Sequence, residues 1–405
     1  MVVDIPYGDE TVSMELTDRT EVIQSSDVDV HMDLEGELTR LLENLEFGRT
    51  ITKELSKARS LAIAVDTSVG SPQVESLLRH LLRYIDTSTS CESVCILSPF
   101  SAGLDVTVDT RSVTVVLRSS LSDENVELVG ETPSFSTPVS IDSDYLHSDV
   151  HIAIGSVRPH PIFGVTGGSR SALTCISSTQ TVLRNEKLGL THFTAPHSKD
   201  SAVRTDANES VRLAGLDYVF NTVVDHNGAL DSLVVGAPEV ASVIGYERSL
   251  ESACVGMNHR ADIALVSAGG CPYDSTLHSS LNALVVGYDA TVHGGVVVLV
   301  AECADGLGPQ GFVSGITNCE SEAHVIKRGE VRYEHGLDAA RLFWRVRSSR
   351  KIVLVSGLPQ TIEEQIGCID ARSPQEGLEQ AKALVTSNKQ VVVIPDGIFT
   401  LPQAP

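Results

Sequence analysis

Ile154-Gly155-Ser156-Val157-Arg158-Pro159-His160-Pro161-Ile162-Phe163-Gly164-Val165-Thr166-Gly167-Gly168-Ser169-Arg170 carries more of the reading than any other stretch of this chain. It leaves an apolar, strand-like run over 150–154, offers one imidazole at His160, and enters a turn with glycine at 164, 167 and 168. Glycine lacks a Cβ and tolerates positive φ, so backbone N–H groups in such a turn can approach an anion closely. The stretch therefore reads as a nucleotide or cofactor loop set on an α/β unit. The competing reading is a purely structural GxxGG turn, which α/β proteins also use.

Outward from this loop, β-like runs alternate with amphipathic helices, the pattern of α/β layers with mainly parallel sheets. Ser60-Leu61-Ala62-Ile63-Ala64-Val65 predicts a buried strand ending at Asp66. Pro72 then opens a helix with Val74, Leu77, Leu78, Leu81 and Leu82 on one face. A second strand over 93–97 ends in Ser98-Pro99-Phe100-Ser101-Ala102-Gly103, and strand ends of this kind border the crevice where α/β sheets bind ligands. Residues 105–148, rich in Ser, Thr and Asp, complete the first half. Downstream, Asp225-His226-Asn227-Gly228 between two apolar runs predicts a hairpin, with His226 a turn residue rather than a ligand.

The second half is predicted as a helix over 237–255, a strand over 261–266, the block Gly269-Gly270-Cys271-Pro272-Tyr273-Asp274, a helix over 275–290 and a buried strand over 296–300. That strand runs into Ala301-Glu302-Cys303-Ala304-Asp305-Gly306-Leu307-Gly308. A last unit places a strand over 351–355, a helix over 374–384 capped by Ser373, and a strand over 390–394.

Composition narrows the function classes. With 405 residues and 42% hydrophobic content, the chain can build two or three cored domains. Lys and Arg total 30 against 53 Asp and Glu, a formal charge of −23, so a general nucleic-acid or anionic-membrane surface is not expected. The same acidity, with few lysines, reads as halophilic hydration, an ordinary acidic cytosolic protein being the alternative. No segment is long and apolar enough to span a bilayer, which makes the cytoplasm the expected compartment. The eight cysteines form no CxxC pair, so neither a zinc knuckle nor a disulfide scaffold is expected.

The loop at 154–170, the block from Gly269 to Gly308, the opening Asp4-Ile5-Pro6-Tyr7-Gly8 and the closing Val391-Val392-Val393-Ile394-Pro395-Asp396-Gly397 together resemble the nickel-dependent lactate racemase family, in order and over nearly the whole chain. The resemblance implies a two-domain α/β fold with an interdomain cleft, divided here as 1–240 and 241–405, the last segment returning to the first domain. It implies an isomerase, a racemase or epimerase that transfers a hydride from C2 of a small 2-hydroxy acid to a nickel-pincer nucleotide. The oligomeric state stays open.

Carried over residue by residue, the resemblance makes His160 a catalytic acid–base residue. Asp66, Ser68, Gly164, Gly167, Gly168, Ser169 and Arg170 would bind the cofactor, and His278, Ser279 and Asn282 the substrate. Glu186 stands where the family has its nickel-binding imidazole; His192 and His197 lie nearby in sequence. Several positions depart from the family. The tethering lysine is Arg170, which can hold a phosphate but not form the covalent link, so the cofactor would be noncovalent. The turn 98–103 lacks the family's second acid–base histidine, and Val69 and Asn282 replace cationic groups. Lactate would then bind poorly unless Arg158 or Arg170 compensates, and the substrate is expected to be another hydroxy acid. A catalytically inactive, regulatory binder of a nucleotide or small acid is the alternative.

Overall fold

The computed structural model describes all residues except 17–19, 27–31, 44–47, 68–71, 100–112, 120–122, 194, 387–389 and 405. Two six-stranded sheets dominate the described chain. The first runs, edge to edge, Thr114–Ser119, Ser93–Ser98, Ser60–Val65, Val150–Val157, Tyr218–Val224 and Leu230–Gly236. All its pairings are parallel except the last, the antiparallel hairpin whose turn contains Asn227-Gly228. The second sheet runs Ile369–Ala371, Lys351–Val355, Thr291–Val300, Ala261–Ser267, Val391–Ile394 and Thr20–Val22, parallel throughout. This is the α/β, mainly parallel architecture expected.

Parallel strands need cover on both faces, and their near-continuous Val, Ile, Leu and Ala content reflects it. One face of the first sheet packs on Val74, Leu77, Leu78, Leu81, Leu82 and Ile85 of the helix Pro72–Ser88. The other face packs on the helices Gly168–Ile176, Ala202–Leu213 and Pro238–Ala253. The second sheet is covered by Leu281–Ala290, Gln310–Thr317 and Leu337–Arg347 on one side. On the other it meets Leu378 and Ala381 together with Ile5, Met14 and Leu16. The N-terminal strands thus pack with the second sheet, and Thr20–Val22 extends it. The closing strand Leu401–Gln403 pairs with Cys254–Gly256.

Each sheet reverses its strand order once, and these reversals position the site. In the first, the chain runs outward from Ser60–Val65 to Thr114–Ser119, then returns to the opposite side of Ser60–Val65 with Val150–Val157. In the second, the same happens between Ala261–Ser267 and Val391–Ile394. Such reversals leave a crevice beyond the strands' C-terminal ends. Asp66 and Arg158 follow the first pair of strands; Tyr273 and Ile398 follow the second.

One helix departs from expectation. Residues 275–280 are not helical, and the helix begins at Leu281. The Thr276 amide donates to Ser279 Oγ and the Ser279 amide to Thr276 Oγ1, both at 3.0 Å, while Ser280 Oγ donates to the Thr276 carbonyl at 2.8 Å. Short hydroxyl side chains here compete with the helical ladder, and the resulting turn holds His278 and Ser279 outside the helix.

Candidate functional site

A cleft of about 540 Å³ lies between the two halves. Asp66, Arg158, His160, Arg170 and Glu186 line it from the first half, and Tyr273, His278, Ser279, Asn282, His335 and Asp338 from the second. Its volume falls in the range of small-molecule and cofactor sites. Ser68, like Val69 and Ala102, lies outside the described residues.

His160 is held by the hairpin that pairs Pro159–His160 with Gly164–Val165. Gly164 sits there at φ 80°, where any Cβ would collide with the Ser198 carbonyl oxygen; its part is to close the hairpin, and it does not line the cleft. His160 Nδ1 accepts the amides of Ile162 at 3.1 Å and Phe163 at 3.2 Å. With that lone pair committed, the neutral ring carries its proton on Nε2. Burial first, then the Arg170 and Arg158 charges, push its pKa well below the ordinary imidazole value, so it is uncharged at neutral pH.

The glycine turn does not present itself as expected. Gly167, at φ 76°, caps the helix Gly168–Ile176, but the Gly168 amide donates to Asn221 Oδ1 at 3.2 Å. Gly167, Gly168 and Ser169 line a separate hollow of about 20 Å³ with Arg204, Asn221 and Ser242, and not the large cleft. Arg170 borders both spaces. Its guanidinium lies over the Phe163 ring at 4.1 Å and 4.0 Å from Asp66 Oδ2, with Nε buried and unpartnered. Asp66 Oδ2 also accepts Ser171 Oγ at 2.7 Å.

Arg158 is the less engaged cation. Its guanidinium sits 5.6 Å from the Tyr273 ring centroid and makes no hydrogen bond or ion pair with the described residues. Burial lowers its pKa, but a guanidinium stays charged in proteins.

On the far wall, Asn185 donates to Asp206 Oδ2 at 2.9 Å and to the Val203 carbonyl at 2.8 Å, which fixes the helix Thr179–Thr191 and with it Glu186. Glu186 Oε2 meets His335 Nδ1 at 2.8 Å. That contact raises the His335 pKa to about 9 and makes it an imidazolium at neutral pH. Asp338 accepts the Tyr333 hydroxyl at 2.9 Å, and burial followed by Glu186 raises its pKa. His278 stands 5.8 Å from His335 by ring centroid; burial, then His335, lower its pKa to about 4. Asn282 Nδ2 bridges the halves, donating to the Pro159 and Ile398 carbonyls at 3.3 Å each, while its Oδ1 is buried without a partner.

His160, Arg170, Asp66, Glu186, His278, Ser279 and Asn282 therefore converge; Gly164, Gly167, Gly168 and Ser169 stand behind. His192 is exposed at a helix end, against Phe135, and His197 is not part of the cleft wall. Sequence reasoning missed His335, Asp338 and Tyr333, because none belongs to a local motif and each reaches the site only through tertiary packing; Tyr273 stood in the block 269–274 without a role assigned to it. Among the described residues no group of three or more His, Cys, Asp or Glu is placed to hold a metal ion, and no helix is long and apolar enough to cross a membrane. The eight cysteines are free.

Residues 7–196 match the lactate racemase N-terminal domain and residues 257–401 the lactate racemase C-terminal domain. The chain is 25% identical over 422 residues to the lactate racemase of Thermoanaerobacterium thermosaccharolyticum, covering 98% of each. It is 24% identical over 293 residues to that of Lactiplantibacillus plantarum, covering 70% of this chain and 68% of the relative. The fold superimposes on the T. thermosaccharolyticum lactate racemase apoprotein with a TM-score of 0.87 at 24% identity, covering all of both chains. A Thermotoga maritima protein gives a TM-score of 0.68 at 13% identity, covering 95% of this chain and 100% of that one. With both domains matched in order around one cleft, the chain belongs to the lactate racemase family, a family of isomerases.

Proposed function

We propose that the protein racemises or epimerises a 2-hydroxy acid other than lactate in the cleft between the half built on the first sheet and the half built on the second, to which the N-terminal strands also belong. The observation that carries this is the convergence of His160 and His278, one imidazole from each half, on a cleft also lined by Arg158, whose guanidinium makes no ion pair with the described residues. Arg158 takes the substrate carboxylate in a charge-assisted pair, replacing the cations absent at Val69 and Asn282. His160 donates from Nε2 to a substrate oxygen. The apolar walls at Ile162, Phe163, Leu281 and Ile398 favour an acid with a larger side chain than lactate.

A nickel-pincer nucleotide would supply hydride acceptance at C2 when bound. The residues present fit its phosphate, which Arg170 can hold beside Asp66 without a covalent link. They do not fit its nickel: Glu186 is a hard ligand and its oxygen is engaged by the His335 imidazolium. The proposal therefore keeps a noncovalent nucleotide at Arg170 and gives no metal role to Glu186. An inactive regulatory binder is not favoured, since binding alone does not call for imidazoles from both halves. We place the protein in the cytoplasm with a small hydroxy acid as its partner, and with no nucleic acid.

The test is to incubate protein isolated from its native cells with single enantiomers of a 2-hydroxy acid panel and resolve the products on a chiral column. Inversion of larger acids in preference to lactate is expected. Inversion of none, or vigorous inversion of lactate alone, would overturn the reading.

A further inference from the structure

We propose that His278 is the group that receives and returns the proton of the substrate's 2-hydroxyl, a role for which the turn at 98–103 supplies no imidazole. This rests on the racemase or epimerase reading above.

The two cleft imidazoles are built for opposite tasks. His160 has its Nδ1 lone pair committed to two backbone amides, so its neutral form presents only an N–H to the cleft. Taking a second proton would break both hydrogen bonds beside two guanidiniums. His160 is thus a donor and not a base. The His278 ring, by contrast, makes no hydrogen bond with the described residues, and it lines the cleft.

Packing fixes that ring where hydrogen bonds do not. The Thr276–Ser279 turn sets its backbone, and the His278 amide donates to the Leu307 carbonyl at 3.1 Å. Phe312 meets the ring edge to face at 5.3 Å between centroids. Gly308 leaves the space: a Cβ there would stand 2.6 Å from His278 Cβ. A ring oriented by apolar contacts keeps its nitrogens free for a ligand.

The surroundings keep the ring neutral, which leaves its lone pair free at some cost in basicity. His335, charged through Glu186, and Arg170 both oppose protonation of His278, while Glu186 favours it, and burial outweighs all three. The ring is unprotonated at neutral pH, with a lone pair available. In the transfer the substrate O–H bond breaks, an N–H bond forms on His278, and the electron pair stays on the oxygen. Arg158 and the His160 N–H stabilise the resulting anion, and the reverse transfer restores the hydroxyl. No oxidant enters this step.

The experiment has two arms. In the first, histidine ring signals are followed by ¹H–¹⁵N NMR while 2-hydroxybutyrate and mandelate are titrated in; both His160 and His278 signals should shift with at least one probe. In the second, His278→Gln should lower kcat by about 100-fold or more with KM changed by less than about threefold, and should remove the acid limb of the kcat/KM profile. Added imidazole should restore part of the rate to His278→Ala, which a merely structural role would not allow. Retained activity in His278→Gln, or a probe that shifts His160 and leaves His278 unmoved, overturns the proposal alone. Absence of inversion by wild type with any acid instead sinks the racemase reading, and binding of neither probe removes both.

Discussion

Glu186→Gln should uncouple the charge state of His335 from the fold, and the geometry sets the size of the effect. Glu186 Oε2 lies 2.8 Å from His335 Nδ1 and raises its pKa to about 9, against roughly 6.5 for an unperturbed imidazole. At about 1.36 kcal/mol per unit the ceiling is near 3 kcal/mol. The His335 side chain, however, is 55% exposed, whereas that of Glu186 is 8% exposed. Water in the open cleft therefore screens the pair, and exposure is the better guide to its strength: a contribution of about 1 kcal/mol is expected.

Because the folded pKa is raised, this stabilisation is fully present below the unfolded value of about 6.5 and is lost as pH rises through about 9. Urea unfolding of wild type should accordingly lose about 1 kcal/mol between pH 6 and pH 10 from this pair, a loss that Glu186→Gln abolishes. The reverse substitution is not equivalent. His335→Gln leaves the buried Glu186 near Asp338 with no counter-charge, and should cost more at pH 6 than Glu186→Gln does. A His335 ring that titrates near 6.5 in wild type, or a Glu186→Gln protein whose stability still falls between pH 6 and pH 10 as wild type does, would refute this reasoning.

Three further outcomes are expected. Arg170→Ala should abolish binding of nucleotide monophosphates in titration calorimetry, whereas Arg170→Lys should keep binding without creating vigorous lactate racemisation, since Val69 and Asn282 remain uncharged. Gly287→Ala should destabilise by about 1–3 kcal/mol in urea unfolding, because its Cβ would stand 2.6 Å from Val297 Cγ1 inside a packed core. With a formal charge of −23, the melting temperature should rise markedly from low to molar KCl as the Debye length falls from roughly 30 Å at 0.01 M to about 3 Å at 1 M; a flat or falling curve would leave an acidic mesophilic protein.

Local sequence determined most of the scaffold. Ser60–Val65 and Val391–Ile394 are short, continuous apolar runs of the kind a doubly covered parallel strand buries, and Ser373 caps the helix Pro374–Leu384, accepting the Glu376 amide at 3.2 Å. Asn227-Gly228 marked its hairpin because the turn's backbone needs positive φ, which Gly228 adopts at 76°. Where local rules competed, periodicity misled: residues 275–290 have helical spacing, but Thr276 and Ser279 satisfy each other's amides and delay the helix to Leu281.

The site divides along the same line. His160 and Arg170 were legible because they flank a glycine turn that announces itself within a few residues. The direction in which that turn faces was not legible, since it depends on Asn221, 53 residues away from Gly168, accepting the Gly168 amide. Glu186 and His335 are 149 residues apart, and nothing in either neighbourhood specifies the other. A charged or tautomeric state belongs to the surroundings of a side chain rather than to its type. Which imidazole donates, which accepts and which carries a charge is therefore decided only when the two sheets bring their strand-order reversals to one cleft.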